Sequence, residues 1–290
     1  MIITEKLIFL ELEKTGTTHI NHIITQLYPR ELIGKHTTLN ALPDYENQDK
    51  FIAGSIRNPW DWYISLWAQG CRNTGLKGGL YEKLTKRKPL SRMFFINDIG
   101  QYSLSLSCLN AICFGISKPT HIWKKLYSDY TNVNHFREWL KLIYDRRRIY
   151  DLGLEWPTYP KSKLHQFMGL MSYRYCTFFI KDFLTREVVQ NLNNLDDLIR
   201  LDKQNNLLQG VVRVESLETD LIHLLMASGH VVDSDVKGKI IDFSNQRKNV
   251  SQRLKTIQYY DQETLDLVYQ KEKFLIDKYS YEKPQLIPKS

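Results

Sequence analysis

Cysteine is scarce in this chain: Cys71, Cys108, Cys113 and Cys176 are the four in 290 residues, and no two of them form a C-x-x-C pair. A disulfide-dense secreted scaffold is therefore excluded, and a reduced, cytoplasmic setting is the expectation. Long apolar runs are missing as well. No stretch approaches the roughly 18 consecutive apolar residues of a membrane-spanning helix, and the chain does not open on a basic segment followed by an apolar one, so no membrane association is expected. Internal repeats and low-complexity tracts are also absent. So is the G-x-x-x-x-G-K-[ST] order of an ATP-binding Walker loop, and no magnesium-holding carboxylate can be placed, which counts against an ATP-using kinase.

What is present suits a large folded domain. With 42% hydrophobic and 12% aromatic residues over 290 positions, the chain can bury a substantial core as a single domain, 1–290. A formal net charge of +8 favours anionic ligands, substrates or surfaces. The basic residues are scattered apart from Lys86-Arg87-Lys88 and Arg146-Arg147-Arg148, which read as solvated charge runs. No recognised nucleic-acid module accompanies them, and nucleic acid is not an expected partner.

Two short segments carry the chemistry. The apolar run Leu7 to Leu10 reads as a buried strand, and His19, Ile20, Ile23, Ile24 and Leu27 then recur at helical spacing. Between them Lys14-Thr15-Gly16-Thr17-Thr18 opens the helix. A helix N-terminus presents unpaired N–H groups and a positive dipole end, Gly16 permits close approach and Lys14 adds a charge, so the turn can bind an oxyanion. The same residues taken alone also describe an ordinary strand-turn-helix with a surface lysine. The second segment repeats the design, with a strand from Lys50 to Ile56 ending at Arg57, Asn58 as N-cap and Pro59 as the first helical residue. An Arg at the strand end and the hydroxyl of Ser65 about two turns later can grip a phosphate from two sides, although Arg-Asn-Pro is also a common helix start.

In this order and spacing the pair resembles the sulfotransferases that use 3′-phosphoadenosine-5′-phosphosulfate (PAPS), in particular bacterial and carbohydrate-type members. Their K-x-G-T-T-type loop binds the 5′-phosphosulfate and an R-N-P-x-D-x-x-x-S segment binds the 3′-phosphate. Arg57, Asn58, Pro59, Asp61 and Ser65 match each fixed position of the second pattern. Val211 to Asp220, with Glu215 and Leu217, looks like the family's later strand and acidic helix start. Asn249-Val250-Ser251 through Tyr260-Asp261 to Asp277-Lys278-Tyr279 is similar to its C-terminal part. The likeness covers roughly 5–70 and 208–282. It departs at Glu13, which stands where the family usually has Pro; a carboxylate there would repel the donor unless it turns outward or pairs with a cation.

The resemblance implies an α/β fold of P-loop-like sulfotransferase type, with a central parallel sheet flanked by helices. Residues 1–70 and 208–290 would form the nucleotide-binding core, and 71–207, largely helical, an insertion that binds a carbohydrate or small-molecule acceptor. It implies PAPS as co-substrate, adenosine 3′,5′-bisphosphate as product and no metal. Lys14 to Thr18 would hold the 5′-group, with Lys14 also stabilising the leaving oxygen, and Arg57 and Ser65 the 3′-phosphate. Lys248 and Ser251, in a basic loop that also reads as simply solvated, would close over that phosphate. A hydroxyl acceptor needs a base. His36, in a segment similar to the family's H-x-T-A-like stretch, is the first candidate, with a surface or capping histidine as its other reading, and Glu11 at the end of the first strand is the second. His19 and His22 lie one turn apart without a third ligand, so no metal is assigned. Two other readings stay open, a nucleotide- or phosphate-binding protein of the same fold without transferase activity and an ATP-using P-loop kinase.

Overall fold

A computed structural model of the chain describes residues 1–42, 49–72, 79–87, 118–152, 158–160, 162–245 and 254–286. In chain order its elements begin with β1 (Ile2–Ile3), β2 (Leu7–Leu10), α1 (Thr17–Leu27), β3 (Glu31–Leu32), β4 (Phe51–Ile56), α2 (Pro59–Cys71) and α3 (Leu80–Thr85). Next come α4 (Thr120–Leu126), α5 (Val133–Tyr144), α6 (Leu164–Phe167), α7 (Leu170–Phe179), α8 (Arg186–Asn191) and α9 (Leu195–Asn205). The last are β5 (Gly210–Arg213), α10 (Leu217–Ala227), α11 (Ser234–Asn245), α12 (Thr256–Tyr259), α13 (Gln262–Lys271) and α14 (Lys273–Tyr279).

The strands form one sheet in the order β3-β1-β2-β4-β5. β2, β4 and β5 run parallel, with Leu7 opposite Phe51, Leu10 opposite Gly54 and Ile56 opposite Arg213. β1 is antiparallel to both β2 and β3. The sheet is thus mixed, and the parallel arrangement expected from the sequence holds only for the three strands that the motifs follow. The cause is local. The Thr4 hydroxyl accepts from the N–H groups of Lys6 and Leu7, and the Thr4 N–H donates to the Leu7 carbonyl, which folds β1 straight back onto β2.

Four buried residues in a row, Leu7 to Leu10, place β2 between two helical layers. On one face Leu7, Phe9, Ala53 and Val212 pack with Ile20, Ile23 and Ile24 of α1, Leu221, Leu224 and Leu225 of α10 and Ile240 of α11. On the other, Phe179 of α7 lies so close to β4 that a Cβ at Gly54 would meet its ring at 2.6 Å. After β5, the helical stretch from Gln262 to Tyr279 is broken at Glu272 into α13 and α14. The fully buried Glu272 carboxylate accepts from the N–H groups of Met171 and Ser172 and from the Ser172 hydroxyl, capping α7 where Gly169 has no side chain to do so.

The chain divides into two compact units. One comprises 1–62, 166–252 and 268–282 and holds the sheet; residues 166–207 belong to it, whereas the sequence reading groups them with 71–165. The other comprises 63–165, 253–267 and 283–290 and is organised around aromatic rings. Within it Phe136 stacks on Trp139 and meets Tyr259 and Tyr260 edge-on, and Trp67 packs against both Phe136 and Tyr259. No helix among the described residues is long and apolar enough to cross a membrane.

Candidate functional site

Both motif turns stand at the carboxyl end of the sheet, on the neighbouring parallel strands β2 and β4. In the first, Lys14 (φ 65°) and Gly16 (φ 76°) are left-handed. Glycine is required at position 16 twice over, by that φ and by Leu217 Cδ1, which lies 3.0 Å from where a Cβ would stand. The first turn of α1 carries no acidic residue, and Gly16 offers no capping side chain. His19 and Ile20 donate to the Gly16 carbonyl, so the N–H groups of Thr17 and Thr18 precede the first intrahelical donor.

Four successive carbonyls of the strand end and turn are each engaged by a side chain, three of them from another part of the chain. His36 Nδ1 lies 2.7 Å from the Glu11 carbonyl. The Thr15 hydroxyl donates to the Leu12 carbonyl at 2.7 Å and stands 2.6 Å from the Ser55 hydroxyl of β4. Trp62 Nε1 donates to the Glu13 carbonyl at 2.8 Å, and an Arg57 guanidinium N–H reaches the Lys14 carbonyl at 3.4 Å. These bonds fix the peptide planes of the turn. Its carbonyls face protein donors, and the N–H groups at the start of α1 are what it presents to an anion.

The expected residues sort into distinct places. Thr15 is fully buried and its hydroxyl is used inside the turn, so only its backbone can meet a ligand. Thr17 is also buried, while Thr18 is exposed and its hydroxyl accepts from Lys35 Nζ at 2.9 Å. Arg57 is 15% exposed, with Asp61 at 3.9 Å, a distance at which the ion pair is weak. Asn58 caps α2 through its side-chain oxygen, which accepts from the Trp60 N–H at 3.0 Å, and its own N–H donates to Glu215 at 2.7 Å. Ser65 is half-buried on α2 and belongs to the second unit. Lys248 and Ser251 lie outside the described residues.

The two candidate bases differ in what holds them. A carbonyl oxygen can only accept, so His36 Nδ1 donates to Glu11, and in the neutral ring Nε2 is the nitrogen that carries the lone pair. Glu11 is buried, with one carboxylate oxygen held by the Met1 amino group at 2.9 Å. An ion-paired and buried carboxylate is poorly placed to accept a substrate proton, which leaves His36 as the stronger candidate.

Three further side chains bear on the site. Arg174 of α7 grips the Glu13 carboxylate with two nitrogens, at 2.5 and 3.1 Å, both side chains being less than one-fifth exposed. The unfavourable carboxylate beside Lys14 is thereby neutralised by pairing. Lys35 reaches the start of α1 through Thr18, and Arg213 ends β5 beside the Arg57 turn, so β2, β4 and β5 are each followed or ended by a cation. The sequence reading gives Arg213 no role, although it lies in the Val211 to Asp220 stretch; Arg174 lies 161 positions from Glu13, and no local pattern pairs them. His19 lies 3.7 Å from Glu218 and His22 packs edge-on against Phe243. No metal-ligating group of three side chains occurs among the described residues.

The fold and this geometry define an α/β protein with a mixed five-stranded sheet and a basic, N–H-lined turn at its carboxyl edge. Compared with protein-family models, with curated proteins and with solved structures, the chain matches none.

Proposed function

We propose that the protein is a PAPS-dependent sulfotransferase of P-loop-like fold that transfers a sulfuryl group to a hydroxyl of a carbohydrate or small polar metabolite. The observation that carries this reading is the placement of the two anion-binding turns on adjacent parallel strands, with Arg57 against the Lys14 carbonyl and Glu13 neutralised by Arg174. The nucleotide donor carries oxyanions at its 3′ and 5′ positions, so neighbouring cationic turns are what it needs. Thr17 and Thr18 would supply backbone N–H groups to the 5′ oxyanions, and Arg57, with Ser65 as the motif suggests, would bind the 3′-phosphate.

In the reaction His36 Nε2 takes the proton of the acceptor hydroxyl. The acceptor oxygen bonds to sulfur as the bond from sulfur to the bridging phosphate oxygen breaks, and Lys14 stabilises the charge arriving on that oxygen. Positioning and charge stabilisation do most of the work, as in loose phosphoryl transfer.

Calorimetric titration with adenosine 3′,5′-bisphosphate tests the nucleotide half, and binding without magnesium is expected. Preference for ATP with magnesium would overturn the reading in favour of a kinase. Transfer of labelled sulfate from PAPS to a panel of hydroxyl acceptors tests the chemical half. Lys14→Ala should abolish transfer, and His36→Ala should reduce turnover with nucleotide binding retained. Nucleotide binding with no transfer to any acceptor would leave a binding protein of this fold instead.

A further inference from the structure

Lys14 keeps a left-handed backbone, at φ 65°, which a residue with a Cβ adopts only where its surroundings impose it. Two peptide planes meet at its Cα, and their orientations are its φ and ψ. The plane before it carries the Glu13 carbonyl, which accepts from Trp62 Nε1 at 2.8 Å, and the plane after it carries the Lys14 carbonyl, which an Arg57 guanidinium N–H reaches at 3.4 Å. The first distance is that of a full hydrogen bond and the second lies beyond the usual range, so Trp62 has the firmer hold. Trp62 is fully buried, so its indole is locked by packing and meets no ligand itself. It also occupies an unspecified position of R-N-P-x-D-x-x-x-S, so the pattern does not ask for it.

We infer that Trp62 is a positioning residue for the Lys14 turn. Its indole N–H holds the peptide before Lys14 and thereby sets the left-handed backbone that aims the Lys14 side chain and the N–H groups after it at an oxyanion. The effect on oxyanion binding rests on the turn alone, whereas its bearing on sulfuryl transfer rests on the sulfotransferase reading.

A buried indole N–H needs an acceptor wherever it lies, so the bond alone would also suit a purely structural tryptophan. Helix α2 supplies the comparison. Trp67 is equally buried, and its Nε1 donates at 2.9 Å to the carbonyl of Leu126, a residue of neither turn. Changing either tryptophan to phenylalanine removes one N–H and keeps an aromatic ring. The two changes are alike in chemistry and differ in the carbonyl they release.

Calorimetric titrations of the full chain with inorganic pyrophosphate, adenosine 5′-phosphosulfate and adenosine 3′-monophosphate test the inference. The first two call on the Lys14 turn, which loss of their binding in Lys14→Ala verifies, and the third on the Arg57 turn. Trp62→Phe should weaken the first two about fivefold, the scale of one lost hydrogen bond, and leave the third within about twofold. Trp67→Phe should leave all three within about twofold of wild type. Equal affinities of Trp62→Phe and wild type, equal losses in the two variants, or a matching loss for the 3′-monophosphate would each overturn the inference. So would wild-type protein that binds none of the three, or binds pyrophosphate without need of Lys14. Pyrophosphate binding weakened by Trp62→Phe, with neither nucleotide bound by wild type, would uphold the inference and sink the sulfotransferase reading. Wild-type protein labelled with 5-fluorotryptophan gives a readout even if Trp62→Phe fails to fold. Of its six tryptophan resonances, that of Trp62 should shift when pyrophosphate is added and that of Trp67 should not. An unmoved Trp62 resonance would overturn the inference.

Discussion

Glu13 and Arg174 decide whether the Lys14 turn is electrostatically usable. Removing the guanidinium leaves a mostly buried carboxylate beside the proposed anion site, which costs more than the pair itself contributes. Arg174→Ala is expected to lower stability by about 2 kcal/mol, the scale of a hydrogen bond to a charged group, and to weaken adenosine 3′,5′-bisphosphate binding. Adding Glu13→Gln to Arg174→Ala should restore most of the affinity, because the repulsive charge is gone. Urea titrations and calorimetry on the two single variants and the double variant measure this. Failure of the double variant to regain affinity would mean that Arg174 acts on the turn by some means other than neutralising Glu13.

His230 makes a prediction about pH. Its ring nitrogens face the Thr4 and Ser228 hydroxyls at 3.0 and 2.8 Å, and its ring packs on Tyr28. Burial pushes its pKa below the ordinary value, with Lys6 adding to the shift and Glu5 opposing it. A histidine with a depressed folded-state pKa binds its proton more tightly when unfolded. Its contribution to stability is therefore present above the ordinary histidine pKa of about 6.5 and is lost as pH falls through the lower folded value. Urea midpoints measured from neutral pH downward should fall more steeply for wild type than for His230→Gln. Parallel curves would show that this residue does not carry the dependence.

At the scale of elements, the turn leading into α2 offers the clearest test. The Asn58 side chain caps the helix at its Trp60 N–H, and Pro59 occupies the position where a missing N–H costs nothing. Asn58→Ala should cost about 1 kcal/mol, with Asn58→Ser retaining most of it, as read from urea midpoints. Equal losses for the two would place the contribution of Asn58 elsewhere than in its cap. This cap was legible from the sequence, as were β2, β4, β5 and the bounds of α1 to within a residue, because each is written in a local pattern of apolar runs, glycine, proline and capping residues. β1 and β3 were not, since two residues apiece are too few to show an alternation. The break at Glu272 was hidden for another reason. Its carboxylate serves α7, a hundred positions away, and the helical periodicity of α13 continues into α14 without a mark. The site divides the same way: Lys14, Gly16 and the Arg57 turn are local, whereas the contacts of Arg174 with Glu13 and of Lys35 with Thr18 arise only once distant segments meet.

For the molecule as a whole, the two units carry separate cores, and this predicts how a local loss spreads. Tyr259 donates its hydroxyl to the Tyr130 carbonyl and packs edge-on against Phe136 and Trp67, while its own carbonyl accepts from Arg137. Truncation to Ala removes a fully buried ring from the aromatic unit, a change of about 3 to 5 kcal/mol for a large aromatic side chain. If that loss stays with its own core, hydrogen exchange followed by mass spectrometry should accelerate in α5 and α12. The amides of β2, β4 and β5 should keep their protection, because their packing is with α1, α7 and α10. Such a variant should also still bind adenosine 3′,5′-bisphosphate through the Lys14 and Arg57 turns. Uniform acceleration through the sheet would instead make the chain one cooperative body, in which the aromatic core supports the Lys14 and Arg57 turns energetically.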